Sequence, residues 1–143
     1  PDSLTPAIGQ SEVKGLLAVI ENLDFRDFVK ELVDEVESDG DETARALAMV
    51  DAYDGISAKL GILSMHDREV AKNALRLVKN DLERHGFELI CDEAWNAKRQ
   101  KAVAVRHDET VDGIRFVRSE ASGLLRGDKV IRKQEVTVVT NKE

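Results

Sequence analysis

The spacing of apolar residues changes at Gly86, and that change limits what the chain can fold into more than any other feature. Upstream, apolar positions recur every three or four residues, the period of an amphipathic helix. Downstream they alternate or fall in short runs rich in β-branched residues, the pattern of strands. Helices first and strands last, without alternation between them, predicts an α+β protein with segregated parts. The expected architecture is an N-terminal helical bundle of about three helices over residues 1–86, followed by a small C-terminal β-domain of about six short strands over residues 87–143.

Over residues 11–37 the helical positions are Val13, Leu16, Leu17, Ile20 and Leu23, then Phe25, Phe28, Val29, Leu32 and Val36. A phase slip near Asp24 leaves two readings open, one long bent helix or two short ones. Asp41, after the polar break at residues 38–41, is suited to cap a second helix, whose narrow apolar seam is Ala46, Met49, Tyr53, Ile56, Leu60 and Leu63. A third helix is expected from near Asp67, taken as its cap, through Val70, Ala74, Leu75, Val78 and Leu82. His85-Gly86 ends it, with glycine where a left-handed residue is wanted. Short turns favour an intrachain three-helix bundle; pairing of helices between two chains, a homodimer, is the alternative.

The expected strands lie at residues 87–90, 102–106, 114–118, 123–125, 129–132 and 136–139. Asp112-Gly113 and Arg126-Gly127-Asp128 supply turns between them, the second a tight hairpin. Charge divides as the periodicity does. Residues 1–86 hold 10 Lys+Arg and 18 Asp+Glu, whereas residues 87–143 hold 11 and 10, so an acidic body precedes a nearly neutral one.

Composition then excludes whole classes. No apolar run approaches the ~20 residues of a membrane span, and no cationic leader precedes an apolar stretch. The single cysteine, Cys91, rules out an intramolecular disulfide and favours a reducing, cytoplasmic setting. A net charge of −7 argues against general nucleic-acid binding. Pro1 in place of an initiator methionine implies that the chain begins inside a longer one or after a removed tag.

Catalytic and metal chemistry find no constellation. His66, His85 and His107 have no close His or Cys at metal spacing, and each reads as structural or solvated. Cys91 reads as a buried small hydrophobe rather than a reactive thiol. The glycines form no phosphate loop, and the carboxylates of residues 34–42 lack the spacing of a calcium loop. No catalytic residue, metal or cofactor is assigned, and no enzyme is expected. The cluster Lys98-Arg99-Gln100-Lys101 after Trp95 has two equal readings, a surface for an acidic partner or an exposed loop leading into a strand.

Four stretches resemble GrpE proteins, the nucleotide exchange factors of DnaK-type chaperones. Residues 82–90 (Leu-Glu-Arg-His-Gly-Phe-Glu-Leu-Ile) are similar to the family's helix-to-strand junction, and Ala102-Val103-Ala104-Val105 to its Ala-rich strand. Residues 123–138 resemble its terminal segment Gly-Tyr-x-Leu-x-Asp-Arg-Val-Leu-Arg-Pro-Ala-x-Val-x-Val, and residues 16–24 its Leu-Leu-x-Val-x-Asp-Asn-Leu-Glu. There are departures. The family's Asp-Pro-x-x-His-Glu-Ala is replaced by Asn96-Ala97-Lys98-Arg99-Gln100-Lys101-Ala102, its hairpin arginine by Lys129, its tyrosine by Leu124 and its Pro-Ala by Lys133-Gln134.

The resemblance implies a cochaperone whose small β-domain docks on the ATPase domain of a DnaK-type chaperone and promotes ADP release. The partner-binding residues carried over by position are Lys129 and Val138. Trp95 and Lys101 are added from their place beside the divergent motif, Trp95 either as an interface anchor or as filler between strand and loop. The alternative is a GrpE-like adaptor without exchange activity, since a fold does not fix a function.

Overall fold

The computed structural model describes residues 15–142 except 17 and 39, and of residues 37 and 38 only the backbone. Helix α1 (Leu23–Ser38) begins where Asn22 caps it: the Asn22 side-chain oxygen accepts from Phe25 N at 3.0 Å, and its carbonyl accepts from Arg26 N. This cap lies at the phase slip read from the sequence. Residues 18–22 are not helical, and the part of the expected helix before Gly15 lies outside the described residues. Phe25, Val29, Val33 and Val36 form the buried stripe of α1.

Asp41 caps α2 (Glu42–Lys59) as expected, accepting from Thr43 N and Ala44 N. The buried face of α2 is broader than the expected seam. Val50 and Ala52 join Ala46, Met49 and Ile56, while Tyr53 is half-buried and Leu60 lies past the helix in a 3-10 turn, Leu60–Ile62. Helix α2 packs against both α1 and α3 (Met65–Arg84) within one chain.

The start of α3 differs from expectation. Its cap is Ser64, whose hydroxyl accepts from Asp67 N at 3.2 Å. Asp67, only 2% exposed, instead turns its carboxylate to the chain ahead of α1, accepting from Glu21 N at 2.8 Å and Asn22 N at 2.9 Å. His66 adds a bond from Nε2 to the Val19 carbonyl at 3.0 Å. The two side chains clasp residues 19–22 onto the N-terminus of α3. The Glu21 backbone donor holds the Asp67 carboxyl below its ordinary value, against burial, with help from Asn22 and His66. A lowered folded-state value means that this stabilisation is fully present above about pH 4 and is lost as pH falls further, through the folded-state value. Asp67→Asn is therefore expected to lower the melting temperature at pH 7 and to flatten the loss between pH 4 and pH 2, read by thermal denaturation across that range.

His85 closes α3 and Gly86, at φ 85°, turns the chain out of it. Two compact units follow one another along the chain, Pro1–Phe87 and Glu88–Glu143. The six strands are β1 (Phe87–Ile90), β2 (Gln100–His107), β3 (Ile114–Ala121), β4 (Gly123–Arg126), β5 (Lys129–Arg132) and β6 (Gln134–Thr140). They form two three-stranded sheets, ordered β1-β4-β5 and β2-β6-β3. In the second sheet, β6 is central, parallel to β2 and antiparallel to β3. Both edge strands carry register breaks, at residues 102–104 of β2 and at 116–118 and 119–121 of β3, a device that discourages further strand addition. The β4–β5 hairpin pairs Arg126 with Lys129 across Gly127-Asp128. Gly127 has φ 61° and Asp128 a negative φ, as in a type II′ turn with glycine first. No helix among the described residues is long and apolar enough to cross a membrane.

Candidate protein-interaction surface

The loop between β1 and β2 carries the chain's only tryptophan and most of the divergent motif. Its shape is set by two glutamines at the paired starts of β2 and β6. Gln100 and Gln134 are register partners, 1% and 0% exposed. Buried amides are tolerated only when bonded, and these are. Gln134 Oε1 accepts from Asp92 N at 3.0 Å and from Gln100 Nε2 at 3.0 Å, while its Nε2 donates to the Asp92 carbonyl at 3.2 Å and to Ser119 Oγ at 3.0 Å. Gln100 Oε1 accepts from Asn96 N at 2.9 Å. Both ends of the loop are thereby tied to the sheet, and Trp95, half-buried, sits between the ties.

The cations around this loop separate into engaged and free. Arg99 is engaged: its Nε donates to Asp92 at 2.7 Å and its Nη2 lies 3.6 Å from Glu88. The Asp92 bond raises the guanidinium's already high pKa, with burial opposing. Lys133 donates to the Ala97 carbonyl at 3.0 Å. Lys98 and Lys101 are exposed, Lys101 on β2 opposite Glu135. The equal readings of residues 98–101 therefore divide by residue: Arg99 and Gln100 build the loop, and Lys98 and Lys101 face solvent.

Of the other carried-over residues, Lys129 is exposed at the mouth of the β4–β5 hairpin. Val138 corrects expectation, because it is 2% exposed between Val105 and Phe116 on the central strand. Its side chain serves the sheet's own packing and has no area to offer a partner. The four residues do not form one patch: Lys101 and Val138 fall on opposite faces of one sheet, and Lys129 belongs to the other sheet. Cys91 also differs from expectation. It is exposed, with Sγ 3.2 Å from Ser122 Oγ. His85 and His107 donate to the carbonyls of Asp81 and Asn141, within the structural or solvated roles read for them.

Glu21, His66 and Asp67 bring ligand-type atoms within 4.8 Å of one another. Both Asp67 oxygens and His66 Nε2 already serve the backbone of residues 19–22, so the group acts as a clasp. The sequence matches no family model, and no curated protein matches it.

Proposed function

We propose that this chain is a GrpE-like cochaperone that binds the ATPase domain of a DnaK-type chaperone through its β-unit and promotes ADP release. One observation supports the reading: three of the four resembling stretches fall, in the family's order, on helix-to-strand and strand elements, while residues 16–24 lie mostly in the non-helical segment before α1. Residues 82–90 run from α3 into β1, residues 102–105 lie within β2, and residues 123–138 run through β4, β5 and β6. Such a factor needs no catalytic group. Binding the nucleotide-released conformation more tightly than the loaded one shifts the population, and each tenfold preference supplies about 1.4 kcal/mol. Lys129 contributes a single charge at the β4–β5 hairpin, a compact ammonium where the family's arginine would offer a two-pronged fork.

Release of labelled ADP from a DnaK-type chaperone, followed with and without micromolar protein, tests the proposal. Acceleration is expected, with Lys129→Ala reducing it about tenfold, as truncation of an interface contact does. No acceleration by protein shown to be folded overturns the exchange reading. The adaptor alternative is favoured by the buried Val138 and by the loop that Gln100 and Gln134 lock where the family carries Asp-Pro-x-x-His. Its signature is tight binding that leaves ADP release unchanged.

A further inference from the structure

The register of the β2-β6-β3 sheet sorts its side chains onto two faces. Gln134, Val136, Val138 and Thr140 of β6 are buried and mark the inner face. On the outer face, half-buried Val139 lies between Arg106 and Arg115, and Thr137, covered beside Glu120 and only 1% exposed, between Ala104 and Arg118. Paired residues on neighbouring strands share a face, so the three arginines stand on one surface, and all three are exposed.

Glu120, the carboxylate bonded on this face, engages one of them. Glu120 accepts from the Thr137 hydroxyl and from Arg118 Nε at 2.7 Å. These bonds hold its carboxyl below the ordinary value, and Arg106 and Arg118 add their charge to the same effect. Arg118 is thus spent on Glu120. Arg106 and Arg115 have no hydrogen-bonded or ion-paired partner among the described residues. They flank half-buried Val139 on two strands that lie about 10 Å apart across the central one.

We propose that this outer face is a docking surface for an acidic protein segment, whose carboxylates pair with Arg106 and Arg115 while an apolar group between them covers Val139. Each guanidinium offers a planar fork that matches a carboxylate. Charge complementarity and the apolar floor favour protein over nucleic acid. A phosphate backbone would leave half-buried Val139 uncovered, whereas a protein segment can place an apolar side chain there between its carboxylates. The inference rests on the reading of the β-unit as the partner-binding part, and adds which face meets the partner.

The test uses the full chain in low salt with three probes: the ATPase domain of a DnaK-type chaperone, a labelled 20-residue polyglutamate peptide and a labelled 20-nucleotide single strand. Arg106→Glu/Arg115→Glu is expected to weaken binding of the chaperone domain and of the peptide at least about tenfold. Lys72→Glu/Lys79→Glu, the same charge change on α3, should alter either by less than about twofold. Arg106→Gln/Arg115→Gln repeats the comparison if the reversal variant is poorly folded. Chaperone binding that survives both arginine variants overturns the docking face and leaves the cochaperone reading standing. Loss of the peptide alone, with no chaperone binding by the wild type, overturns the cochaperone reading and keeps the face. Peptide binding that the arginine variants leave unchanged, or preferential arginine-dependent binding of the nucleotide strand, overturns the face.

Discussion

Gly123→Ala is expected to destabilise the β-unit by about 3 kcal/mol or more, enough to leave much of it unfolded at 37 °C. Gly123 opens β4 and is buried against the junction of β5 and β6. A Cβ there would lie 2.5 Å from the Arg132 carbonyl oxygen, 2.5 Å from Gln134 N and 2.8 Å from the Lys133 carbonyl carbon. All three are backbone atoms, so no side chain can swing aside. Relief requires moving the β5–β6 junction, where Gln134 N donates to the Arg99 carbonyl at 3.0 Å. Gly61→Ala is the control, because a Cβ there meets nothing within 4 Å and should change stability by no more than about 0.5 kcal/mol. Urea unfolding followed by circular dichroism separates the two. A Gly123→Ala protein with wild-type stability would mean that the close approach of β4 to the junction is absent in solution.

The second large effect is expected at Gln134. Gln134→Ala removes four hydrogen bonds, leaving Asp92 N without its acceptor and Gln100 Nε2 with only the Asp92 carbonyl, at 3.4 Å. Unsatisfied buried donors cost about 1–3 kcal/mol each, so a loss of about 3 kcal/mol is expected. Replacing both glutamines by leucine should cost less than the sum of the single changes, because the two amides then leave together. A double-mutant cycle at Gln100 and Gln134 measures that coupling. Hydrogen exchange at the Asp92 and Asn96 amides should rise in either single variant. Additivity of the two changes would show that the amides do not act as a pair.

What was legible in the sequence was what neighbouring residues decide among themselves. Asp41 before an apolar helix, His85-Gly86 after one and Gly127 between two short strands each settle a local backbone choice, and the structure follows them. Asp67 shows where local reading stops. It has the chemistry of a cap, but the Ser64 hydroxyl already occupies that role three residues earlier, and the spacing Ser-x-x-Asp was the available signal. Asp67 then serves donors 45 and 46 residues away, which no local pattern encodes. The same holds for the sheets. Six strands could be read from alternation, but the parallel pairing of β2 with β6 joins residues more than 30 apart. With that pairing went the burial of Gln100, Gln134 and Val138 and the common face of Arg106 and Arg115, since a side chain's face is fixed only once its partner strand is known.

The division into two units has an optical consequence. The chain holds one tryptophan and one tyrosine; Trp95 belongs to the unit with the sheets, Tyr53 to the unit with the helices. Excitation at wavelengths absorbed by indole alone therefore reports on the sheets without contribution from the helices, in the native protein and with no added label. Unfolding traced by that emission, overlaid on unfolding traced by helical ellipticity, would show directly whether the two units melt together or apart.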